Sequence, residues 1–107
     1  MKTHRILILI SAILISQAAL AKLPMSNDVF GKSEGTFDFC AQAKPSDAAK
    51  YQERKRSLVR GASDKEVADS RKTSEYRNAY DWITAQLGKL SKDQSVAACD
   101  AVLRSDT

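Results

Sequence analysis

Histidine is almost absent from this chain. The only histidine is His4, which lies in an N-terminal segment that we expect to be removed. Without it, the remaining chain cannot assemble Ser-His-Asp or Cys-His hydrolytic groups, histidine metal sites or the usual neutral-pH proton carrier. The sequence also contains no glycine-rich phosphate-binding loop. We therefore expect no enzyme, no metal site and no cofactor.

Glycine and proline are also scarce, with 4 and 2 residues among 107. No segment alternates apolar and polar residues over the length of a strand, whereas helical spacing of apolar residues recurs. The fold class expected is all-α. We predict a small antiparallel helical bundle of three main helices and one short N-terminal helix, stapled by one disulfide.

The segment at residues 1–21 is typical of a secretory signal peptide. It contains a basic start with Lys2 and Arg5, an apolar run over residues 6–16, and small residues before a cleavage point after Ala21. The run is shorter than the roughly 20 apolar residues of a spanning helix, so we expect cleavage rather than an uncleaved membrane anchor. The prediction is an exported protein, periplasmic or secreted, with no transmembrane segment after cleavage.

Cleavage after Ala21 would leave the segment 22–107, which is long enough for one small domain. This part keeps 15 of the 17 Lys and Arg residues against 13 Asp and Glu residues, a formal net charge of +2. So small an excess does not indicate nucleic acid as a partner.

Two cysteines, Cys40 and Cys99, remain in the chain after cleavage. An oxidising compartment favours their pairing. They are 59 residues apart, whereas reactive pairs usually have C-x-x-C spacing. We therefore predict one structural disulfide.

Residues 22–35 show no sustained period and contain Pro24, Gly31 and Gly35. We expect a flexible N-terminal arm here, followed by a helical domain over residues 36–105. The expected helices of this domain cover residues 36–44, 45–60, 64–90 and 92–104.

The helix expected over residues 64–90 is the longest, and the others are expected to pack around it. Ser63 and Glu66 form a capping-box pattern at its start, and Ser91 and Gln94 repeat the pattern at the start of the next helix. Its C-terminal half carries an apolar stripe with helical spacing, which requires a packing partner.

The short loop at residues 61–63 predicts that the helices on either side form an antiparallel hairpin. Lys55 lies within the apolar arc of one helix, and Asp69 lies on the corresponding stripe of the other. We hypothesise that the two charges pair across the hairpin and fix its register. Alternatively, Lys55 lays its aliphatic stem along the interface and keeps its ammonium in water.

Four residues give the helix at 45–60 a basic face: Lys50, Arg54, Arg56 and Arg60. A solvated face with ion pairs to nearby acids is the structural interpretation. The functional interpretation is contact with an acidic partner protein or an anionic envelope surface.

Trp82, the only tryptophan, points away from the apolar stripe of its helix. Such a residue either packs against another helix or stays on the surface, and burial is the commoner outcome in a bundle. An exposed tryptophan would be the natural anchor of a protein interface, because tryptophan is enriched among binding hot spots.

We expect a non-catalytic exported protein that binds another protein in the periplasm or envelope, as an adaptor, inhibitor or chaperone-like factor. The alternative is an electrostatic binder of anionic envelope surfaces through the basic helix face. An enzyme would instead require a concave site lined by several carboxylates. The identity of the protein partner is not encoded in any motif of the sequence.

Overall fold

The computed structural model describes residues 23–105, and these residues are all-helical with no strand. Their five α-helices are α1 (Asn27–Ala43), α2 (Ala48–Leu58), α3 (Asp64–Arg71), α4 (Ser74–Gly88) and α5 (Lys92–Ser105), with one 3₁₀ turn at Pro45–Asp47. The predicted all-α class and disulfide are confirmed. Among residues 23–105, no helix combines the length and the apolar character that a membrane crossing requires. The predicted leader at residues 1–21 lies outside the described residues.

The helix around which the others pack is α1, not the one expected over residues 64–90. It packs extensively against α2 and α4, and less extensively against α5 and α3. The interpretation of residues 22–35 as a flexible arm is therefore wrong from Asn27 onward, and the N-terminal helix is 17 residues long rather than short. The buried face of α1 includes Gly31, Glu34 and Gly35, so it lacks the apolar stripe that would have marked it as a packed helix.

Two glycines bring the backbones of α1 and α4 together. A Cβ atom on Gly31 would lie 2.2 Å from the carbonyl oxygen of Tyr76, and one on Gly35 would lie 2.7 Å from Cγ2 of Ile83 and 3.2 Å from the carbonyl oxygen of Tyr80. Gly35 lies one turn after Gly31 on α1, and its contact Tyr80 lies one turn after Tyr76 on α4. The two helices run parallel at a separation that only glycine permits.

We expect Gly31→Ala to destabilise the protein by about 1–3 kcal/mol, because the added methyl group meets the backbone of Tyr76 rather than a flexible side chain. The matched control is Gly88→Ala, at the end of α4, where an added Cβ meets nothing within 4 Å. That change should be neutral or slightly stabilising, since alanine is the better helix former. Urea denaturation of both variants checks the contrast, and equal effects would contradict the close packing of α1 and α4.

The helix predicted over residues 64–90 is broken into α3 and α4 at Thr73. The Thr73 hydroxyl accepts a hydrogen bond from the N–H of Tyr76 at 3.2 Å and donates one to the carbonyl oxygen of Ser70 at 2.7 Å. It therefore ends one helix and caps the next. This break explains the polar N-terminal half of the predicted helix, because α3 is a separate short element.

The predicted caps at Ser63 and Ser91 are present, although Ser63 and Glu66 form only one of the two bonds of a capping box. The N–H of Glu66 donates to the Ser63 hydroxyl at 3.1 Å. At the start of α5, both bonds of a capping box form between Ser91 and Gln94, at 3.0 and 3.2 Å. Local patterns of this kind were predicted correctly because they depend on residues only three positions apart.

The predicted pair of Lys55 and Asp69 is wrong. The Lys55 ammonium donates to Oδ1 of Asp38 on α1 at 2.7 Å, and Asp69 accepts from Lys65 on its own helix at 2.7 Å. The physical reason is that α2 packs along α1, which supplies the acidic partner, instead of forming the expected hairpin with α3. The intervening turn contains Gly61 with a φ of 89°, a left-handed conformation that suits glycine.

The buried side chains form two clusters along α1. One contains Phe30, Val67 and Tyr76, near the start of α1. The other contains Tyr51 and the disulfide between Cys40 and Cys99, near its end. The cysteine Cα atoms are 5.5 Å apart, an ordinary separation for a disulfide, and the bond ties α5 to α1.

Candidate functional sites

Between the two apolar clusters lies a group of polar side chains that we call the polar cluster: Glu34, Asp38, Lys55, Arg71, Tyr76 and Tyr80. Its centre is Glu34, of which only 1% is exposed. Arg71 donates to both carboxylate oxygens of Glu34, from Nε at 2.9 Å and from Nη2 at 2.7 Å. The Tyr76 hydroxyl donates to the same carboxylate at 2.5 Å. Charge-assisted bidentate pairs of this kind are the strong ones.

Asp38, one turn further along α1, repeats the arrangement. It accepts a hydrogen bond from the Tyr80 hydroxyl at 2.6 Å and one from the Lys55 ammonium at 2.7 Å. Glu34 and Asp38 are thus each held by one phenol from α4 and one cation. The cations come from two further helices, α2 for Asp38 and α3 for Glu34. The polar cluster therefore ties four helices together.

The phenols of the polar cluster are held as hydrogen-bond donors. Burial is the first cause that raises the pKa of Tyr76 above its ordinary range, and the hydrogen bond to Glu34 is the second. Burial and then the bond to Asp38 raise the pKa of Tyr80 in the same way. The hydrogen bond to Glu34 also raises the pKa of Arg71. At neutral pH the tyrosines are neutral and the guanidinium is charged, so all of these groups can donate hydrogen bonds to the two carboxylates and stabilise the fold.

We expect the folded protein to show less tyrosinate absorbance near pH 10, the ordinary tyrosine pKa, than the unfolded chain does. Burial raises the pKa of Tyr51 as well, so all three tyrosines in the sequence are affected. Because the unfolded phenols lose their protons first, the free energy of unfolding should fall as the pH rises above about 10. The measurement is an absorbance titration with parallel urea denaturation. Tyr80→Phe should weaken this pH dependence. A folded protein whose tyrosines titrate with the ordinary pKa near 10 would contradict the prediction.

Trp82 is exposed, with 53% of its surface accessible. It is therefore not buried against another helix, which was the commoner of the two expected outcomes. It lies on the outer side of α4, where the Lys32 ammonium of α1 stands 5.2 Å from the centre of its ring. Val29, one turn before Lys32 on α1, is also exposed. We call Trp82 and Lys32, the two residues in contact, the Trp82 surface.

The four residues of the predicted basic face do not form one set of free charges. The Arg54 Nη2 group donates to the carbonyl oxygen of Leu103 near the end of α5 at 2.8 Å, which is a structural contact. Arg56, 67% exposed, pairs with Glu53 at 2.7 Å, and Arg60 lies 3.9 Å from the same carboxylate. Lys50 lies 3.4 Å from Asp47. Two local acids, Glu53 and Asp47, therefore offset part of this positive charge.

The polar cluster is the feature that sequence reasoning missed. Its hydrogen bonds join residues 17, 37 and 42 positions apart, and no local motif marks them. The only signal is that two acids and two tyrosines share the same four-residue spacing, which matches when α1 and α4 run parallel. Within residues 23–105, no three side chains of the metal-ligating types converge on one point.

No protein-family model matches the chain, and neither curated proteins nor solved structures include a similar one.

Proposed function

We propose that this is a small exported, non-catalytic helical protein that binds another protein through the Trp82 surface. The observation that carries the proposal is the exposure of Trp82. In a domain whose largest buried side chains are Tyr51 and Phe30, the one tryptophan is left outside. Tryptophan contributes more than most residues when a partner covers it.

The position of Lys32 adds to this proposal. Its ammonium lies over the indole ring at a distance where the cation is attracted to the aromatic face. This contact favours one orientation of the exposed indole ring before a partner binds. Less conformational entropy is then lost on binding, so the same contact area gives a higher affinity.

Export enters as part of the same proposal. The signal-peptide pattern of residues 1–21 motivates it, and a disulfide that bridges two helices fits an oxidising compartment. We propose that the working protein begins at Lys22 and acts in the periplasm or envelope.

The alternative is an electrostatic binder of anionic envelope surfaces through the basic helix face. The exposure of Lys50, Arg56 and Arg60 favours it, whereas the proximity of Glu53 and Asp47 lowers the net charge that an anionic surface would meet. Arg54 is excluded from any test of this face, because its contact with α5 is structural.

The test is capture of partners from the envelope fraction by three versions of the chain that begins at Lys22. They are the wild type, Trp82→Ala, and a triple variant in which Lys50, Arg56 and Arg60 become glutamine. We expect one defined protein to be retained at high salt by the wild type and the triple variant. Trp82→Ala should bind it with an affinity lower by about 2 kcal/mol, roughly 30-fold.

The alternative function predicts a different pattern. Association would then be lost at high salt and in the triple variant, because salt screens exposed charges first, and Trp82→Ala would behave as the wild type. That result would reject binding through the Trp82 surface.

A further inference from the structure

A cleft of about 340 Å³ opens beside the contact between α1 and α4. Its inner wall is the polar cluster, and its rim is formed by Arg77 and Asp81 of α4. Arg77 and Trp82 are five positions apart, which places them about 140° apart around the helix. The cleft and the Trp82 surface therefore lie on different sides of α4.

The two inner carboxylates of the cleft have hydrogen-bond partners, and the two rim side chains have none within residues 23–105. Glu34 and Asp38 each accept bonds from one phenol and one cation. Arg77 and Asp81 are exposed, and no hydrogen bond or ion pair found among residues 23–105 involves their side chains. They are one helical turn apart and face the same side of α4. The rim thus presents one unpaired cation beside one unpaired anion.

The cleft is also balanced in charge. Three carboxylates line it, from Glu34, Asp38 and Asp81, and three cationic side chains accompany them. Although an enzyme would also need carboxylates in a cleft, Glu34 and Asp38 are each bonded to a phenol and a cation, so they do not form a free acid–base pair. An anionic ligand would be repelled by Asp81, and a cationic ligand would be repelled by Arg77. A ligand carrying one positive and one negative group complements both.

We propose that this cleft binds a small zwitterion, a molecule of amino-acid or dipeptide size with one ammonium and one carboxylate group. The Arg77 guanidinium takes the carboxylate, for which its planar donors are suited, and Asp81 takes the ammonium. The inner wall contributes further donors, because Arg71 uses only two of its three nitrogen atoms on Glu34. The volume lies at the small end of ligand sites.

The test uses glycylglycine as the probe and the chain that begins at Lys22, with its disulfide intact. Binding is followed by NMR chemical-shift changes on α4 during titration. N-acetylglycylglycine lacks the ammonium, and glycylglycinamide lacks the carboxylate. We expect each blocked form to bind about tenfold more weakly than glycylglycine or worse, since each loses a charge-assisted contact.

Two variants locate the site. Arg77→Gln and Asp81→Asn should each weaken glycylglycine binding by about tenfold while leaving the thermal unfolding midpoint unchanged, because neither side chain holds the fold together. Arg60→Gln, an exposed arginine on the loop after α2, is the matched control and should bind as the wild type. Trp82→Ala should also bind the dipeptide normally, which separates this proposal from the proposed function.

Three results would overturn the zwitterion site. The first is the absence of saturable binding of glycylglycine at millimolar concentrations. The second is equal binding of the blocked and unblocked forms. The third is binding that both rim variants leave unchanged, since the dipeptide would then sit elsewhere on the protein.

Discussion

Replacing Glu34 by glutamine is expected to lower the free energy of unfolding by about 3 kcal/mol. Removing one partner of a buried ion pair leaves the other charge without compensation, which typically costs about 3–5 kcal/mol. The lower end of that range applies because the Arg71 side chain is 46% exposed and can still reach water. A small domain has only about 5–15 kcal/mol of stability, so this loss is a large fraction of the total.

The matched control for this change is Glu53→Gln. Glu53 also pairs with an arginine at 2.7 Å, but both side chains are more than half exposed. Exposed pairs contribute about 0–1 kcal/mol, so the control should shift the urea midpoint little. Equal losses of unfolding free energy in the two variants would show that the burial of Glu34 does not increase the contribution of its ion pair to stability. Unchanged stability in Glu34→Gln would contradict the role of the cluster altogether.

Removing the disulfide is expected to cost about 4 kcal/mol. In the chain-entropy model, the cost follows from the length of the loop that the bond closes, and Cys40 and Cys99 are 59 residues apart. Both cysteines are buried, so replacing them with alanine also removes packing beside Tyr51. The double variant Cys40→Ala/Cys99→Ala should therefore unfold at a much lower urea concentration than the wild type.

Hydrogen exchange should locate the effect of disulfide loss in α5. Apart from the disulfide, α5 is held by the packing of Val102 and Leu103 beside Tyr51 and by a few polar contacts. These include the pair of Lys44 with Asp100 and the bond from the Tyr51 hydroxyl to the carbonyl oxygen of Cys99. Its amides should exchange faster than those of α1 in the double variant. Adding a reductant should destabilise the wild type and leave the double variant unchanged. A loss below about 1 kcal/mol would contradict the chain-entropy argument.

The sequence was sufficient for features that depend on neighbouring residues. The all-α class, the caps at Ser63 and Ser91, and the end of a helix before Pro45 follow from local patterns and were predicted correctly. The break at Thr73 was missed because its residues lack the glutamate or glutamine that completes a capping box.

The central helix was missed for a different physical reason. Hydrophobic periodicity finds helices whose buried face is apolar, whereas α1 buries two glycines and a carboxylate. Gly31 and Gly35 suggest a flexible segment when they are considered alone. Their role depends on the backbone of α4 at Tyr76 and Tyr80, which lies far along the chain from both glycines.

The candidate sites also differ in how far they depend on contacts between residues that are distant in the sequence. Trp82 could be identified as a candidate anchor from its position off the apolar stripe, although its exposure could not be predicted. The polar cluster and the zwitterion cleft require four helices to be placed first, because their members come from α1, α2, α3 and α4. The Lys55–Asp69 hypothesis failed at this step, since the correct acid, Asp38, belongs to a helix that was expected to begin at residue 36 and to be short.

The most direct test of binding through the Trp82 surface uses the fluorescence of this tryptophan, which is the only one in the chain. Quenching by acrylamide is measured for the free protein and again after addition of the captured partner. We predict ready quenching in the free protein, protection of Trp82 in the complex, and a shift of its emission to shorter wavelength as water is excluded. A complex in which Trp82 is quenched as readily as in the free protein would contradict the proposed function.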